Sequence, residues 1–346
     1  MVGGGTPDTT VKSYWGGDIQ WFTPSEIGKN KYVDFSLRTI TRDGLDNSSA
    51  KLLPLHTILL SSRATVGECS IASNECTTNQ GFQSLIAKQC NIDFLYYLIQ
   101  TKKKDLIRNA CGSTFLEISA NEIRKIKVAV PVQNEQEQIA KLLSLVDERI
   151  ATQNKIIEDM KKLKSAIAKI LFESIQGHTV CLSDICTILK GQQINGDCLS
   201  DTGEYYVMNG GIEPSGYYDK CNVPAETISI SEGGNSCGYV QFNASPFWSG
   251  GHCYTLNDIN SNADGRYLYH FLKSHESAIM KLRIGTGLPN IQKKDLEKFN
   301  VTLPSMAIQK STSAFLAALE NKVINEEELL GKIQAQKQYF LSQMFI

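Results

Sequence analysis

The sequence predicts an α+β protein: two mixed, β-rich domains alternating with two long, antiparallel α-helices that form a coiled coil, the whole chain being a pseudo-twofold internal repeat. Three observations predict it. The chain matches itself at an offset of 173 residues. Each copy opens on short apolar runs broken by turn residues. Each copy closes on an apolar pattern of helical period that is more than forty residues long.

The repeat is the strongest of the three. Phe94-Leu95-Tyr96-Tyr97-Leu98 matches Tyr267-Leu268-Tyr269-His270-Phe271, and Gly112-Ser113 matches Gly285-Thr286. Ile118 matches Ile291, Glu122-Ile123 matches Asp295-Leu296, and Val128 with Val130-Pro131 matches Val301 with Leu303-Pro304. Gln136 matches Gln309. Upstream the offset becomes 170: Ile58-Leu59-Leu60-Ser61 faces Ile228-Ser229-Ile230-Ser231, and Gly81 faces Gly251.

The elements follow in order. Asp18–Phe22, Thr57–Ser61, Phe82–Ala87, Thr227–Ile230 and Gly238–Phe242 are apolar, aromatic or β-branched runs bounded by Gly, Asn, Ser or Pro, and read as strands. One helix interrupts each copy, near 93–109 and 264–282. After Pro131, apolar residues recur at 139, 142, 146, 150, 157, 160, 163, 167 and 170, the seam of a helix that pairs with another, and Gly177 is a natural stop. After Pro304 the seam returns at 316, 319, 323, 330, 333, 340 and 344. Each segment could span ~60 Å at 1.5 Å per residue. The exposed faces, Lys161-Lys162 and Glu326-Glu327-Glu328, read as solvated surface. The expected domains are therefore 1–131, 132–177, 178–304 and 305–346. Copy two opens with a strand at Val180–Cys186 leading to Gly191. Copy one begins at the equivalent of that glycine, about fifteen residues short. Either the first domain lacks that strand or the true start lies upstream.

Composition narrows the classes. Charged residues are 21% and hydrophobic residues 42% of 346, the profile of an ordinary globular protein. No apolar run approaches the ~18 residues of a membrane span, and Met1–Pro7 has neither the basic nor the apolar region of a secretory signal. A cytoplasmic, non-membrane protein is expected, with its ten cysteines as free thiols. Net charge is −1, but residues 1–130 carry +3 and residues 177–304 carry −4, so any contact with nucleic acid must use local patches.

Catalytic motifs are weak. Asn243-Ala244-Ser245-Pro246-Phe247-Trp248 has one proline where amino-methyltransferase motifs have two. Gly285-Thr286-Gly287 lacks a third glycine, and Gly3-Gly4-Gly5 is not followed by Gly-Lys-Ser/Thr. The five histidines show no metal-ligand spacing, and His252 beside Cys253 fits a loop histidine next to a buried thiol. No enzyme activity and no metal are expected of this chain.

Several passages carry a family resemblance. Gly3-Gly4-Gly5-Thr6-Pro7, then Tyr14–Ile19 and Trp21-Phe22-Thr23-Pro24, open copy one. Leu60-Ser61-Ser62-Arg63-Ala64 and Thr78-Asn79-Gln80-Gly81-Phe82 form its middle. Gly112-Ser113-Thr114-Phe115, Ile118-Ser119, Val130-Pro131 and Glu135-Gln136-Glu137-Gln138-Ile139 lead into the helix. Copy two keeps Lys190-Gly191-Gln192-Gln193 and Gly233-Gly234-Asn235, but has Ile308 where an acidic residue should precede Gln309. Over essentially its whole length the chain resembles the specificity subunit of type I restriction-modification systems.

The resemblance implies two target recognition domains, each reading one half of a split double-stranded DNA site, held apart by a helical ruler. Two methyltransferase subunits would dock on the helices and carry S-adenosylmethionine. Restriction subunits using ATP and Mg would join them. The chain itself would bind no cofactor and do no chemistry. The acidic gap before Gln309 implies weaker partner contacts on the second helix.

Residue chemistry supplies candidates. Arg pairs with guanine, and Asn or Gln with adenine. Arg63, Asn79, Gln80 and Gln83 in copy one, and Asn209, Asn235, Ser236 and Gln241 in copy two, stand in loop-like stretches. Lys12, Lys102, Lys103, Lys104, Lys190, Lys281 and Arg283 could hold phosphates. Gln136, Gln138, Ile139, Leu142 and Gln309 are the partner-contact candidates. Exposed apolar helix faces would favour self-association in the absence of partners. The alternative is a coiled-coil scaffold that binds only proteins; it accounts for the helices but not for the duplicated domains.

Overall fold

The computed structural model describes every residue except 113, 114, 286, 288 and 346. The repeat positions Ser113 and Thr286, and Thr114 of the family-like passage, therefore lie outside the described residues. The chain forms two compact units, Met1–Asn154 with Leu329–Ile346, and Lys155–Glu328.

In the first unit the chain runs β1 (Val2–Gly3), β2 (Trp15–Phe22), β3 (Tyr32–Val33), β4 (Arg38–Ile40), α1 (Arg42–Asp46), β5 (Ile58–Leu60), β6 (Cys69–Ala72), β7 (Cys76–Thr78), β8 (Gln83–Ser84), α2 (Ile92–Thr101), α3 (Lys103–Arg108), α4 (Ala120–Lys125) and the start of α5 (Gln133–Ser174). The strands form small sheets ordered β4-β2-β7, β3-β6-β5 and β1-β8. Ile58, Leu60, Ile71, Tyr97 and Ile118 bury fully between β5, β6 and α2. A second cluster sets Phe22, Leu53, Leu59, Ala72 and Phe82 on the other side of β5, as strand alternation requires.

The second unit takes the end of α5, then β9 (His178–Cys181), β10 (Thr187–Lys190), β11 (Tyr205–Met208), β12 (Tyr217–Tyr218), β13 (Thr227–Ser231), β14 (Val240–Asn243), β15 (Trp248–Ser249), β16 (Cys253–Asn257), α6 (Gly265–Ser274), α7 (Glu276–Met280), α8 (Lys293–Glu297), β17 (Asn300–Leu303) and the start of α9 (Met306–Met344). Its sheets are β10-β16-β13-β14, β12-β11-β15 and β17-β9. The repeat is visible in the pairings. β5 and β6 form an antiparallel pair, Ile58 opposite Ile71, as β13 and β14 do with Ile228 opposite Phe242. β2 pairs in parallel with β7, and β11 with β15.

Each unit holds one stretch of an antiparallel helix pair. In the first, Asp147 of α5 meets Lys337 of α9 at 2.6 Å. In the second, Lys161 meets Glu327 at 2.6 Å and Lys164 meets Glu320 at 2.7 Å. Rising numbers on α5 face falling numbers on α9, which is the antiparallel coiled coil the seams predict.

The structure differs from expectation in four details. The inner helices are each broken in two, at Lys102 and at His275, where the backbone leaves the α region (ψ 5° and 14°). The run expected as a strand at 82–87 is paired over 82–85, with β8 flanked by single bridges from Phe82 to Ser61 and from Leu85 to Ile58, and stops short of 86–87. The expected strand at 180–186 is β9 followed by a 3-10 turn, Leu182–Asp184, which buries Leu182. Lys161 is not simply solvated, since it pairs with Glu327; Lys162 pairs with Glu158 of its own helix.

Candidate nucleic-acid interface

The same stitch builds a loop in each unit. In the first, Ala64 N donates to Leu116 O at 3.0 Å and Ile118 N to Ser62 O at 2.9 Å. In the second, Gly234 N donates to Pro289 O at 3.1 Å and Ile291 N to Glu232 O at 2.8 Å. Ala64 and Gly234 occupy equivalent positions and both have left-handed backbones, φ 63° and 76°. A turn of that shape favours glycine, so Ala64 is held there by the stitch.

In the first unit the stitch brings Arg63, Asn79 and Gln80 together around Gly81. Ser62 N donates to Gly81 O at 2.8 Å, and a Cβ on Gly81 would lie 3.7 Å from Arg63 Cβ. Asn79 Oδ1 accepts from Gly81 N at 2.8 Å, and Thr6 Oγ1 donates to Gln80 Oε1. Half-exposed Arg63 is steadied by Glu117, Nε to Oε2 at 3.3 Å. The Gly4-Gly5 run passes so near that a Cβ on Gly4 would clash with Asn79 O at 2.0 Å. This fixes the turn residues of the opening motif. Gln83 follows on β8, opposite Gly3. Lys12 sits exposed on a separate 3-10 turn. Lys103 is paired with Glu68 and, with Lys31, Asp147 and Lys337, lines a polar cavity of about 1200 Å³. The last two are thus not gathered with Arg63.

The second unit gathers its candidates around the buried Glu232. Lys190 Nζ lies 2.5 Å from Glu232 Oε1 and His252 Nδ1 lies 3.4 Å from Oε2. Tyr254 Oη donates to Oε1 at 3.2 Å. Asn209 Oδ1 accepts from His252 N at 3.2 Å. Exposed Asn235 and half-buried Ser236 ride the stitched loop, and exposed Arg283 precedes the facing strand-like residue Ile284. Gln241 differs: it lies within β14 opposite Ser229, with Oε1 buried and unpaired.

Two residues escaped the sequence reading. Arg38 stacks its guanidinium 3.5 Å above the Trp15 ring, itself edge-on to Trp21 at 5.0 Å. Phe35 and Leu37 beside it are 81% and 88% exposed. His252, which sequence alone marks only as a loop histidine, is 62% exposed at the Glu232 cluster. The two tryptophans were legible, but nothing local ties Arg38 to them.

The partner-contact candidates divide. Gln136 and Gln309 are buried and their amides are spent inside the chain, which corrects their assignment. Gln136 Oε1 accepts from Asn91 N at 2.9 Å and Nε2 donates to Pro131 O at 2.8 Å. Gln309 does the same with Asp264 N at 2.8 Å and Pro304 O at 2.9 Å. Each glutamine thus ties the N-cap of α2 or α6 to the start of a long helix. Gln138 is exposed. With Ile139 and Leu142 it borders an apolar hollow of about 640 Å³, also lined by Val130, Met344 and Phe345. Leu145, Leu163 and Ile170 of α5 and Phe315 and Tyr339 of α9 are apolar and exposed.

Two copies of one loop-bearing lobe, each closed by a length of paired helix, define a duplicated two-module chain. The chain belongs to the type I restriction-modification DNA specificity family: the family profile matches residues 2–162 and again 177–335. It is 29% identical over 374 residues to the type I restriction enzyme MjaIX specificity subunit of Methanocaldococcus jannaschii, covering 95% of this chain and 86% of that one. It is 24% identical over 339 residues to the EcoprrI specificity subunit of Escherichia coli, covering 90% and 83%. The fold matches the crystal structure of a type I restriction-modification system S subunit from M. genitalium, with TM-score 0.61, 20% identity and 99% of each chain covered. It also matches a chain from a study of complex assembly and conformational transition in a type I system, with TM-score 0.67, 14% identity, and 99% and 94% covered.

Proposed function

We propose that this chain is the specificity subunit of a type I restriction-modification complex. Each lobe reads one half of a bipartite site in double-stranded DNA, and the helix pair sets the distance between halves. The observation that carries this reading is the duplicated stitched loop, which presents Arg63, Asn79 and Gln80 in one lobe and Asn235, Ser236 and Arg283 in the other. These are the side chains whose donors and acceptors suit base edges and phosphates. Lys12, Lys190 and Arg38 are further basic side chains whose chemistry suits phosphates. Exposed apolar side chains on both long helices, such as Leu163 and Phe315, with Gln138 and Leu142, support docking of two methyltransferase subunits, with restriction subunits joining them. S-adenosylmethionine, ATP and Mg belong to those partners in this reading. Among the described residues no helix is long and apolar enough to cross a membrane.

The test is selection from random-sequence duplexes by the chain together with its methyltransferase. A consensus in two parts, separated by a fixed gap, is expected. A single contiguous consensus contradicts the reading, and no enrichment favours a scaffold that binds only proteins.

A further inference from the structure

Phe35 and Leu37 are 81% and 88% exposed, the two most exposed large apolar side chains among the described residues. The backbone between them is tied down. Ser36 N donates to Gln20 Oε1 at 2.7 Å, and Trp21 N donates to Ser36 Oγ at 2.9 Å. Leu37 N donates to Glu26 Oε1 at 2.6 Å. Ser36 thus turns inward while its two neighbours stand in water, the alternation of an extended segment. A fixed display of two large apolar groups forgoes the gain of burying them and marks a contact surface.

Strand register says where this display lies. β4 runs antiparallel to β2, with Arg38 opposite Trp21. β7 runs parallel to β2, with Thr77 opposite Trp21 and Thr78 opposite Phe22. The entry to β4 and the exits of β2 and β7 therefore share one end of the sheet. Leu37 stands at that entry, and Asn79 and Gln80 follow the exit of β7. The 3-10 turn Pro24–Glu26 joins the two. Its Glu26 accepts from Leu37 N with one carboxylate oxygen and from Thr23 N with the other, at 2.7 Å. Its Pro24 Cγ lies 3.0 Å from where a Cβ on Gly81 would stand. The apolar pair is thus continuous with the cluster of Arg63, Asn79 and Gln80, and Arg38 puts a positive charge beside it. In the second unit the connection from β11 to β12 is shorter, 209–216, and carries Ile212, 51% exposed, in place of the pair.

We propose that Phe35 and Leu37 form a wedge that enters the base stack of duplex DNA at or beside the half-site read by the first lobe. This rests on the DNA-reading role proposed above. Phenylalanine and leucine are side chains that open a base step, and a wedge must hold its shape while it unstacks one. The tethers from Gln20 and Glu26 supply that stiffness, and Arg38 suits the neighbouring phosphate. Pyrimidine–purine steps, which unstack most readily, are the expected target.

The test uses the full chain with its methyltransferase, on duplexes selected from a random pool, with 2-aminopurine at successive purine positions across both half-sites and their flanks. A fluorescence rise is expected at one step, on one side only, and it should vanish when Phe35→Ala and Leu37→Ala are combined. A base extruded by the methyltransferase gives a separate rise that persists in that variant. The double variant should select the same half-sites, bind about tenfold more weakly, and lose a preference for a pyrimidine–purine step at the wedge position. Leu37→Met should keep the signal. Both side chains are exposed, so neither change removes a buried contact. A two-part consensus without a rise that depends on the pair overturns the wedge and leaves DNA reading standing. No enrichment at all removes both. Loss of the methyltransferase from the double variant would assign the pair to a protein contact and also overturn the wedge.

Discussion

Tyr97 and His270 fill the same place in the two copies, yet only one closes its hydrogen bond. Tyr97 Oη donates to Asp147 Oδ2 at 2.7 Å, and Asp147 in turn holds Lys337. The equivalent of Asp147 is Glu320, which holds Lys164, but His270 Nε2 is buried with no partner. Burial pushes the His270 imidazole down to about 4, against the pull of Glu320. His270→Tyr should let a phenol reach Glu320 and add about 1 kcal/mol of stability. The denaturant midpoint of the second unit measures it, and a drop in that midpoint would count against the equivalence.

The same histidine sets a pH dependence. Below about 6.5 the unfolded chain takes up a proton on this ring that the folded chain refuses until about 4. Stability is therefore full above 6.5 and declines as pH falls between these values, by about 2 kcal/mol at pH 5. Unfolding curves at pH 7.5 and pH 5 should show this loss, and His270→Tyr should lack it. An equal loss in both proteins would place the titration elsewhere.

Gln136 and Gln309 make a paired prediction. Gln136→Leu leaves the Asn91 N–H and Pro131 C=O without their buried partner and should cost about 2 kcal/mol. Gln309→Leu orphans the Asp264 N–H and the Asn262 and Pro304 carbonyls and should cost at least as much. Amide exchange at Asn91 or Asp264 should rise in the matching variant alone.

Thiol reactivity should sort by burial. Cys111, Cys198 and Cys221 are exposed, while Cys69, Cys76, Cys186, Cys237 and Cys253 are buried. Burial pushes Cys69, Cys76 and Cys186 up to about 12 and Cys253 to about 11, which removes the reactive thiolate. An aromatic disulfide reagent should titrate the three exposed thiols quickly and the buried five only on unfolding. Fast reaction of Cys69 or Cys253 would contradict the packing.

Arg63→Ala and Asn235→Ala should act on different halves of the DNA site. Each should relax base preference in one half, at a cost of about 1–3 kcal/mol, and leave the other intact. Lys12→Ala should weaken binding evenly and flatten its salt dependence. Sequencing the duplexes each variant selects reads out all three, and a variant that changed both halves together would argue against independent lobes.

Much of this was legible in the sequence because the repeat is a long-range signal that needs no geometry. The matched Gln136 and Gln309, the seams of α5 and α9, and the strand at Thr227–Ile230 all follow from spacing. Side-chain roles were less legible. Gln136 looks the same in sequence whether it faces a partner or is folded back on Asn91, and only tertiary packing decides. The gathering of Lys190, Asn209 and His252 around Glu232 joins four distant stretches, so no local pattern announces it. Arg38 over Trp15 was hidden for the same reason.

In the proposed complex, helix length sets the gap between half-sites. It is tested most directly by inserting four residues, about one helical turn, near Glu158 in α5 with four more after Glu328 in α9, and mapping methylation in cells carrying the complete system. The same two half-sites are expected, with a longer gap between them. Both half-sites retained at the original gap would contradict it.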